Sequence, residues 1–335
     1  MTCRISAGRS RMFSAYGRVG AALFVSLGAV QAQAQAPAYP VKPVKVIVAL
    51  AAGSGADIVA RIATSKLAES LGQQFVIENR GGAGGNIGVE AAARTAPDGY
   101  TLLTIAAGQA INPALYPKLS YNLEKDFEPI GMIAYAPLIL VVHPSLPVKS
   151  VRELIEFAKA RPGKLYYASS GNGSSPHLAA EMFKAQAGVN IVHVPYKGSP
   201  QAVTDLIAGE VSMVLLAPSS VMSYVQSGRL RALAVCGRQR SATAPGLPTM
   251  AEAGLPGYEA GTWTALLAPA GTSPDIITRL NRELVNIVRL PDVRDRLAAQ
   301  GFDVLSTTPA EFAAYLRSEI AKWGKVVKAT GVRVD

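Results

Sequence analysis

Two α/β lobes with mostly parallel sheets, facing each other across a cleft, are the architecture this sequence predicts. Three observations lead there. Short β-branched apolar runs alternate with stretches whose apolar residues recur at i, i+3 and i+4, the pattern of strands covered by helices. A strand feeding an uncharged glycine-serine loop and then a helix occurs near residues 44–67 and again near 164–187. The copies stand over a hundred residues apart, so each suits its own lobe, with a helix N-terminus on either side of the crevice.

The first 36 residues lie outside this fold. Arg4, Arg9, Arg11 and Arg18 make a basic leader without an acid, followed by the short apolar core AALFVSLGAV (21–30) and a small-residue run. Ala32-Gln33-Ala34 is an A-x-A cleavage signal, so residues 1–34 read as a secretory signal peptide cut after Ala34. The 33 Lys and Arg less these four leave 29 against 23 Asp and Glu, a net charge of +6. That modest excess suits small anions and lacks the clustered basic face of a nucleic-acid binder. Cys236 alone survives cleavage, so the mature chain forms no internal disulfide and depends on its core.

Val44, Val46, Ile47, Val48 and Leu50 form the first strand. Ala51-Ala52-Gly53-Ser54-Gly55-Ala56 turns tightly, and Asp57 opens a helix whose stripe is Ile58, Val59, Ile62, Ala63, Leu67 and Leu71. Such a junction presents free N–H groups and the positive end of a dipole, although an ordinary βα turn reads the same way. QFVIEN (74–79) is a strand, GGAGGN (81–86) opens a short helix reaching Arg94, and residues 101–106 are the next strand. Residues 108–116 read as loop, with Pro113 near a helix start. Residues 129–136 lead into the apolar strand 138–142, and Ser150 with Glu153 caps the helix 150–160.

The second unit runs from the strand 164–169 through Ser170-Gly171-Asn172-Gly173-Ser174-Ser175-Pro176 into the helix 177–187, closed by Gly188. Strand 191–194 ends in Pro195-Tyr196-Lys197-Gly198, and residues 200–209 are a helix. Strands 211–217 and 230–235 follow, then an irregular crossing segment from 238 to 256. Strand 262–267, helices 275–289 and 292–300, strand 302–305 and a closing helix from Thr308-Pro309 complete the chain.

No catalytic, metal or cofactor constellation emerges. GGAGGN fails both nucleotide fingerprints: its glycines are misplaced for the dinucleotide loop, and no Gly-Lys-Ser/Thr follows. It reads as a close backbone approach beside the cleft. His143, His177 and His193 have no i, i+4 metal spacing. Without a G-x-S-x-G elbow, Ser54, Ser170, Ser174 and Ser175 read as neutral donors. Asp57 reads as a cap for its own loop. His177 either donates to a ligand or caps the second loop. Tyr196 walls a pocket or packs in the core, Lys197 supplies a charge or is an ordinary turn lysine, and Asp205 is a surface residue or a polar contact. No nucleophile, base and orienter assemble, which favours binding over catalysis.

In its ordered motifs the chain resembles the Bug family, the periplasmic solute-binding receptors of tripartite tricarboxylate transporters. The marks are YPVKPVKVIV (39–48), the glycine loop with Asp57, VIENRGGAGGNIG (76–88), APDGYTLL (96–103), NPALY (112–116) and DFEPIG (126–131). Further on stand PLILVVHPSLPVKSVRELI (137–155), SSGNGSSPHL (169–178), HVPYKG (193–198), LPTMAEAGLPG (247–257) and APAGTSPDII (268–277). The resemblance implies a type II periplasmic binding-protein fold, a flytrap with lobe 1 from 37–137 and 263–335 and lobe 2 from 138–262. It implies a monomeric, periplasmic receptor without a cofactor, whose partners are a small carboxylate and membrane transporter subunits, not nucleic acid. Di- and tricarboxylates, acidic amino acids and aromatic acids are the ligand classes implied. Carried over by position, the contacts are Ala52, Gly53, Ser54, Ala56 and Asp57, with Gly108 and Gln109, from lobe 1. Lobe 2 contributes Ser170, Asn172, Gly173, Ser174, Ser175 and His177, backed by Tyr196, Lys197 and Asp205. The first loop departs from the family's Pro-Phe-Pro-x-Gly-Gly-x-Ser/Thr-Asp pattern by losing two prolines, a glycine and the hydroxyl before Asp57, while Ser54 adds one. Sensing through a membrane signalling protein is the alternative reading, and a cleft enzyme acting on carboxylates is a further one.

Overall fold

A computed structural model describes residues 39–333 of the chain; the leader lies outside the described residues. The first sheet is built by β1 (Val44–Val48), β2 (Phe75–Asn79), β3 (Thr101–Ala106), β4 (Phe127–Pro137), β10 (Gly261–Pro269) and β11 (Asp303–Val304), in the order β11-β4-β10-β3-β1-β2. The second contains β5 (Ile139–Val142), β6 (Tyr166–Ser169), β7 (Val192–Pro195), β8 (Met213–Leu216) and β9 (Arg231–Val235), ordered β7-β6-β8-β5-β9.

The pairing is mixed, which corrects the expectation of mostly parallel sheets. β1 runs parallel to β2 and β3, and β6 runs parallel to β7 and β8. The chain leaves the first sheet along β4 and returns along β10, so these two long strands lie side by side in opposite senses, from Gly261↔Pro137 to Pro269↔Phe127. β5 is likewise antiparallel to β8 and β9. Out-and-back crossing imposes the antiparallel sense whatever the βαβ units on either side prefer.

Helices cover both faces of the first sheet. Alternate side chains of β1 point to opposite sides. Val44 and Val46 pack with Val59, Ile62 and Leu67 of α1 (Gly55–Leu71) and Leu280 and Leu284 of α8 (Pro274–Val288). Ile47 enters the other cluster with Val89 of α2 (Asn86–Ala93) and Phe312 and Leu316 of α10 (Pro309–Thr330). α4 (Val151–Ala160), α5 (Ser175–Ala187) and α6 (Ser199–Ala208) serve the second sheet.

Two segments differ from the sequence reading. Of residues 108–116, read as loop, all but Tyr116 belong to α3 (Ala107–Leu115), with Pro113 inside it. The helix holds despite the lost N–H because Ile111 and Leu115 bury themselves in the second sheet's core. Residues 218–229, unassigned above, carry α7 (Pro218–Gln226), whose proline occupies a first-turn position where no N–H is needed. α9 (Pro291–Ala299) completes the helices. α10 serves both halves: Trp323 and Val327 join the cluster of β5, β6 and β8. Among the described residues no helix is long and apolar enough to cross a membrane.

Candidate functional site

Because β1, β2 and β3 are mutually aligned, their C-terminal ends share one edge, where the loops leading to α1, α2 and α3 begin. β6, β7 and β8 likewise bring the starts of α5, α6 and α7 to one edge of the second sheet. Each edge therefore carries three helix N-termini, with their unpaired N–H groups and partial positive charge.

The two glycine-serine loops are built alike. In the first, Gly53 turns at φ 79° and Ser54 caps α1 at φ −67°, ψ 158°, accepting from the Asp57 N–H. In the second, Gly173 turns at φ 72° and Ser174 caps α5 at φ −68°, ψ 157°, accepting from the His177 N–H. The side chain four residues past each glycine then turns back onto it. Gly53 N–H donates to Asp57 Oδ2 at 2.8 Å, and Gly173 N–H donates to His177 Nδ1 at 3.0 Å. One module is thus closed by a carboxylate and the other by an imidazole. Among the described residues the N–H groups of Ala52, Gly55 and Ala56, and of Ser170, Asn172 and Ser175, donate to no protein acceptor.

Asp57 is 2 % exposed, and its carboxylate is turned into the fold. It also accepts from Arg61 Nε at 3.0 Å and Asn79 Nδ2 at 2.9 Å, while the same Asn79 amide reaches Leu50 O at 3.2 Å. Burial pushes this carboxyl up, but the Arg61, Gly53 and Asn79 donors outweigh it and hold it below the usual carboxylate range. Its negative charge is thereby neutralised beneath the loop. Asp57 and His177 are caps, as the sequence reading allowed. Asn79 and Arg61 were missed there: Asn79, the last residue of β2, sits 22 positions from Asp57 and only the parallel pairing of β1 with β2 joins them, whereas Arg61 stands one helical turn on, an i, i+4 spacing that could have signalled it.

His177 lies against His193, ring centroids 3.9 Å apart, and Tyr167 closes the stack 4.8 Å beyond His193. Burial lowers the affinity of both imidazoles for a proton, His193 to about 4. Ser169 Oγ meets His193 Nε2 at 2.7 Å, but Ser169 is fully buried, and the nearby Glu181 carboxylate is engaged by Tyr167 and Lys184. That arrangement braces the loop from below.

Gln109, expected among the ligand contacts, is 1 % exposed and employed inside the fold. Its Oε1 accepts from Ala106 N–H at 2.7 Å and its Nε2 donates to Gly84 O at 2.8 Å. It ties the glycine stretch 81–85 to α3, and a Cβ on Gly85 would strike it at 2.2 Å and Ala49 O at 2.6 Å. GGAGGN is therefore the close backbone approach the sequence suggested. Gly108 is half-exposed with open space beside it, at the start of α3. Tyr196 and Asp205 come together, the phenol donating to Oδ2 at 2.6 Å. Burial first and this carboxylate second push the Tyr196 hydroxyl up to about 12. Lys197 is exposed in the same turn, with no ion-pair partner among the described residues. Tyr196 N–H donates to Ser169 O at 3.1 Å, which seats this turn beside the second glycine loop.

The turn at Gly301–Phe302 connects the two edges. A Cβ built on Gly55 would lie 3.2 Å from Phe302 Cζ, and one on Gly301 would lie 2.8 Å from Ser219 N. The start of α1 and the start of α7 thus both lie against this two-residue turn. Neither glycine loop lines the cavity of about 1100 Å³ that opens between Tyr135, Pro137, Arg238, Glu259, Phe302 and Tyr315.

Two sheets joined by paired crossing strands, each presenting helix starts along one edge, define a two-lobed binding-protein fold of the periplasmic receptor type. The chain belongs to the tripartite tricarboxylate transporter receptor family, whose model matches residues 59–332. Protein BugT of Bordetella pertussis is 39 % identical over 314 residues, covering 93 % of this chain and 96 % of BugT, as the Bug resemblance anticipated. Among solved structures, R. palustris Rpa4515 with adipate is 36 % identical, with a TM-score of 0.75 over 88 % of this chain and 100 % of its own. MatC from Rhodopseudomonas palustris with bound malate is 33 % identical, with a TM-score of 0.71 over 86 % of this chain and 100 % of its own.

Proposed function

We propose that this chain is a periplasmic receptor that captures a small carboxylate between its lobes and delivers it to the membrane subunits of a tripartite tricarboxylate-type transporter. The pair of matched loops carries the reading. Each offers neutral main-chain donors at a helix start, the arrangement that holds an oxyanion without burying an unpaired basic side chain. Ala52, Gly53, Ser54 and Ala56 would receive one carboxylate, and Ser170, Asn172, Gly173, Ser174 and Ser175 would cover the ligand from the other side. Free donors at Ala52, Gly55, Ala56 and Ser175 suit that role, and the inward-turned Asp57 does not oppose it. Gly108 lies at a third helix start on the same edge. Tyr196, Lys197 and Asp205 would shape the far end of the ligand.

Lobe 1 comprises 37–137 and 263–335 and lobe 2 comprises 138–262, and they close by bending at the β4–β5 and β9–β10 crossings. The leader 1–34 directs export and is removed. Adipate in Rpa4515 and malate in MatC support a carboxylate as the ligand class. Calorimetry and thermal shift with a panel of di-, tri- and aromatic carboxylates test the reading, since a ligand that binds only the folded state raises the melting temperature. At least one should shift it by several degrees and be recovered chemically unchanged. No response across the panel would refute the proposal.

A further inference from the structure

Proton control of ligand affinity enters through the second loop, and this inference rests on the carboxylate reading above. We infer that His177 is a positioning residue whose unprotonated Nδ1 holds the second loop in its binding shape, so that acid releases the ligand from lobe 2 first. The bond from Gly173 N–H at 3.0 Å requires a lone pair on Nδ1. A protonated ring presents an N–H to an N–H, and the loop loses the tie that the first loop obtains from Asp57. The equivalent bond, Gly53 N–H to Asp57 Oδ2 at 2.8 Å, survives to lower pH because a carboxyl group accepts in either state. Two modules of equal backbone geometry thus differ in the chemistry of one atom.

The groups facing His177 come from every element packed on it. Glu181 and Lys184 stand on its own helix, and their charges act in opposite directions. His193 of β7 stacks on its face at 3.9 Å, and Tyr167 of β6 lies 6.4 Å away. Glu181 is shared between the Tyr167 hydroxyl and Lys184, so it does not stand free to stabilise an imidazolium. Of the two rings only His177 has a protein partner that tolerates a single protonation state. His193 Nε2 meets the hydroxyl of Ser169, which can donate or accept. Burial of His177 resists the charged form near neutrality, which places the transition on the acid side of an ordinary histidine.

Adipate, malate and the remaining panel provide the probes, and calorimetry from pH 7.5 to 4.5 the readout, with wild type compared to His177→Asn and His177→Asp. Asn supplies the same acceptor without titrating, at the length Asp57 already uses in the first loop, and ligand ionisation cancels in the ratio of the two proteins. Wild-type affinity relative to His177→Asn should fall roughly five- to tenfold across the range, the effect of one lost hydrogen bond. His177→Asp should follow Asn over most of it. In the unliganded wild type the Gly173 amide resonance should titrate with the His177 ring, and in His177→Asn it should stay fixed. A flat affinity ratio, or a Gly173 resonance that ignores the ring, overturns the inference while binding itself persists. Failure of every carboxylate to bind either protein at pH 7.5 refutes the carboxylate reading and this inference together, and is distinguished by the absence of any heat at neutral pH.

Discussion

Removing the Asp57 side chain tests how the first loop is held. Asp57→Ala deletes the acceptor for Gly53 N–H, Arg61 Nε and Asn79 Nδ2 at 2.8, 3.0 and 2.9 Å. Hydrogen bonds to a charged group contribute about 1.5–3 kcal/mol each. Arg61 is 53 % exposed in its side chain and Gly53 is exposed, so both recover water, whereas the Asn79 amide retains Leu50 O. The net loss is therefore that of one or two such bonds, about 3 kcal/mol. For a chain of this size that corresponds to a fall in Tm of about 5 °C. Asp57→Asn keeps an acceptor for Gly53 and loses the ion pair, so it should fall between the two. The sign with pH follows from the depressed carboxyl. The folded-state value lies below that of the unfolded chain, near 3.9. The stabilisation is present above the unfolded value and disappears as pH falls through the folded one, so wild type and Asp57→Ala should converge in acid. Urea denaturation at pH 7.5 and below 4, with calorimetry of ligand binding, measures both. A stability change under about 0.5 kcal/mol with affinity unchanged would refute the role assigned to this carboxylate.

Three further outcomes are expected. Trp323 is fully buried, joins α10 to the second sheet's core, and donates to Glu319 Oε2 at 3.1 Å, so Trp323→Ala should cost about 3–5 kcal/mol in chemical denaturation, and Trp323→Phe clearly less. Gly301→Val combines φ 75° with a Cβ 2.8 Å from Ser219 N, so it should push α7 off the Gly301–Phe302 turn, enlarge the radius of gyration in small-angle scattering and weaken ligand binding; an unchanged scattering profile counts against that contact as a brace between the two helix-start edges. His193 is held neutral by burial and by His177, down to about pH 4, whereas the unfolded chain takes up its proton near 6.5. Stability should therefore fall as pH drops from about 6.5 to about 4, and His193→Gln should flatten that slope in urea midpoints.

Much of the architecture was open to reading because it is written locally. Strand 101–106 coincides with its element to the residue and the other strand readings overlap theirs with shifted ends, since an apolar run between turn residues has few other uses. Caps were as clear: Ser150 and Thr308 both accept from the residue three positions on, Glu153 and Glu311. Where tertiary packing decided, reading failed. Residues 108–116 read as loop with Pro113 near a helix start, yet burial of Ile111 and Leu115 against the second sheet outweighs one lost main-chain bond inside α3. Mostly parallel sheets were anticipated, but the crossing pair β4 and β10 had to be antiparallel.

By itself the sequence determined that two glycine-serine loops would each open a helix, and that Asp57 would cap the first, because all of that is settled within a few residues; Ser54, read as a donor, is in fact the N-cap acceptor of α1. Only the tertiary structure decided that Asn79 anchors Asp57, that Gln109 is spent on holding Gly84, and that the Gly301–Phe302 turn lies against the starts of α1 and α7. These contacts join residues distant along the chain, and no local pattern encodes which distant donor a buried acceptor will meet. Chain topology brings such groups together, and the cost of leaving a polar atom unpaired away from water then selects the partner.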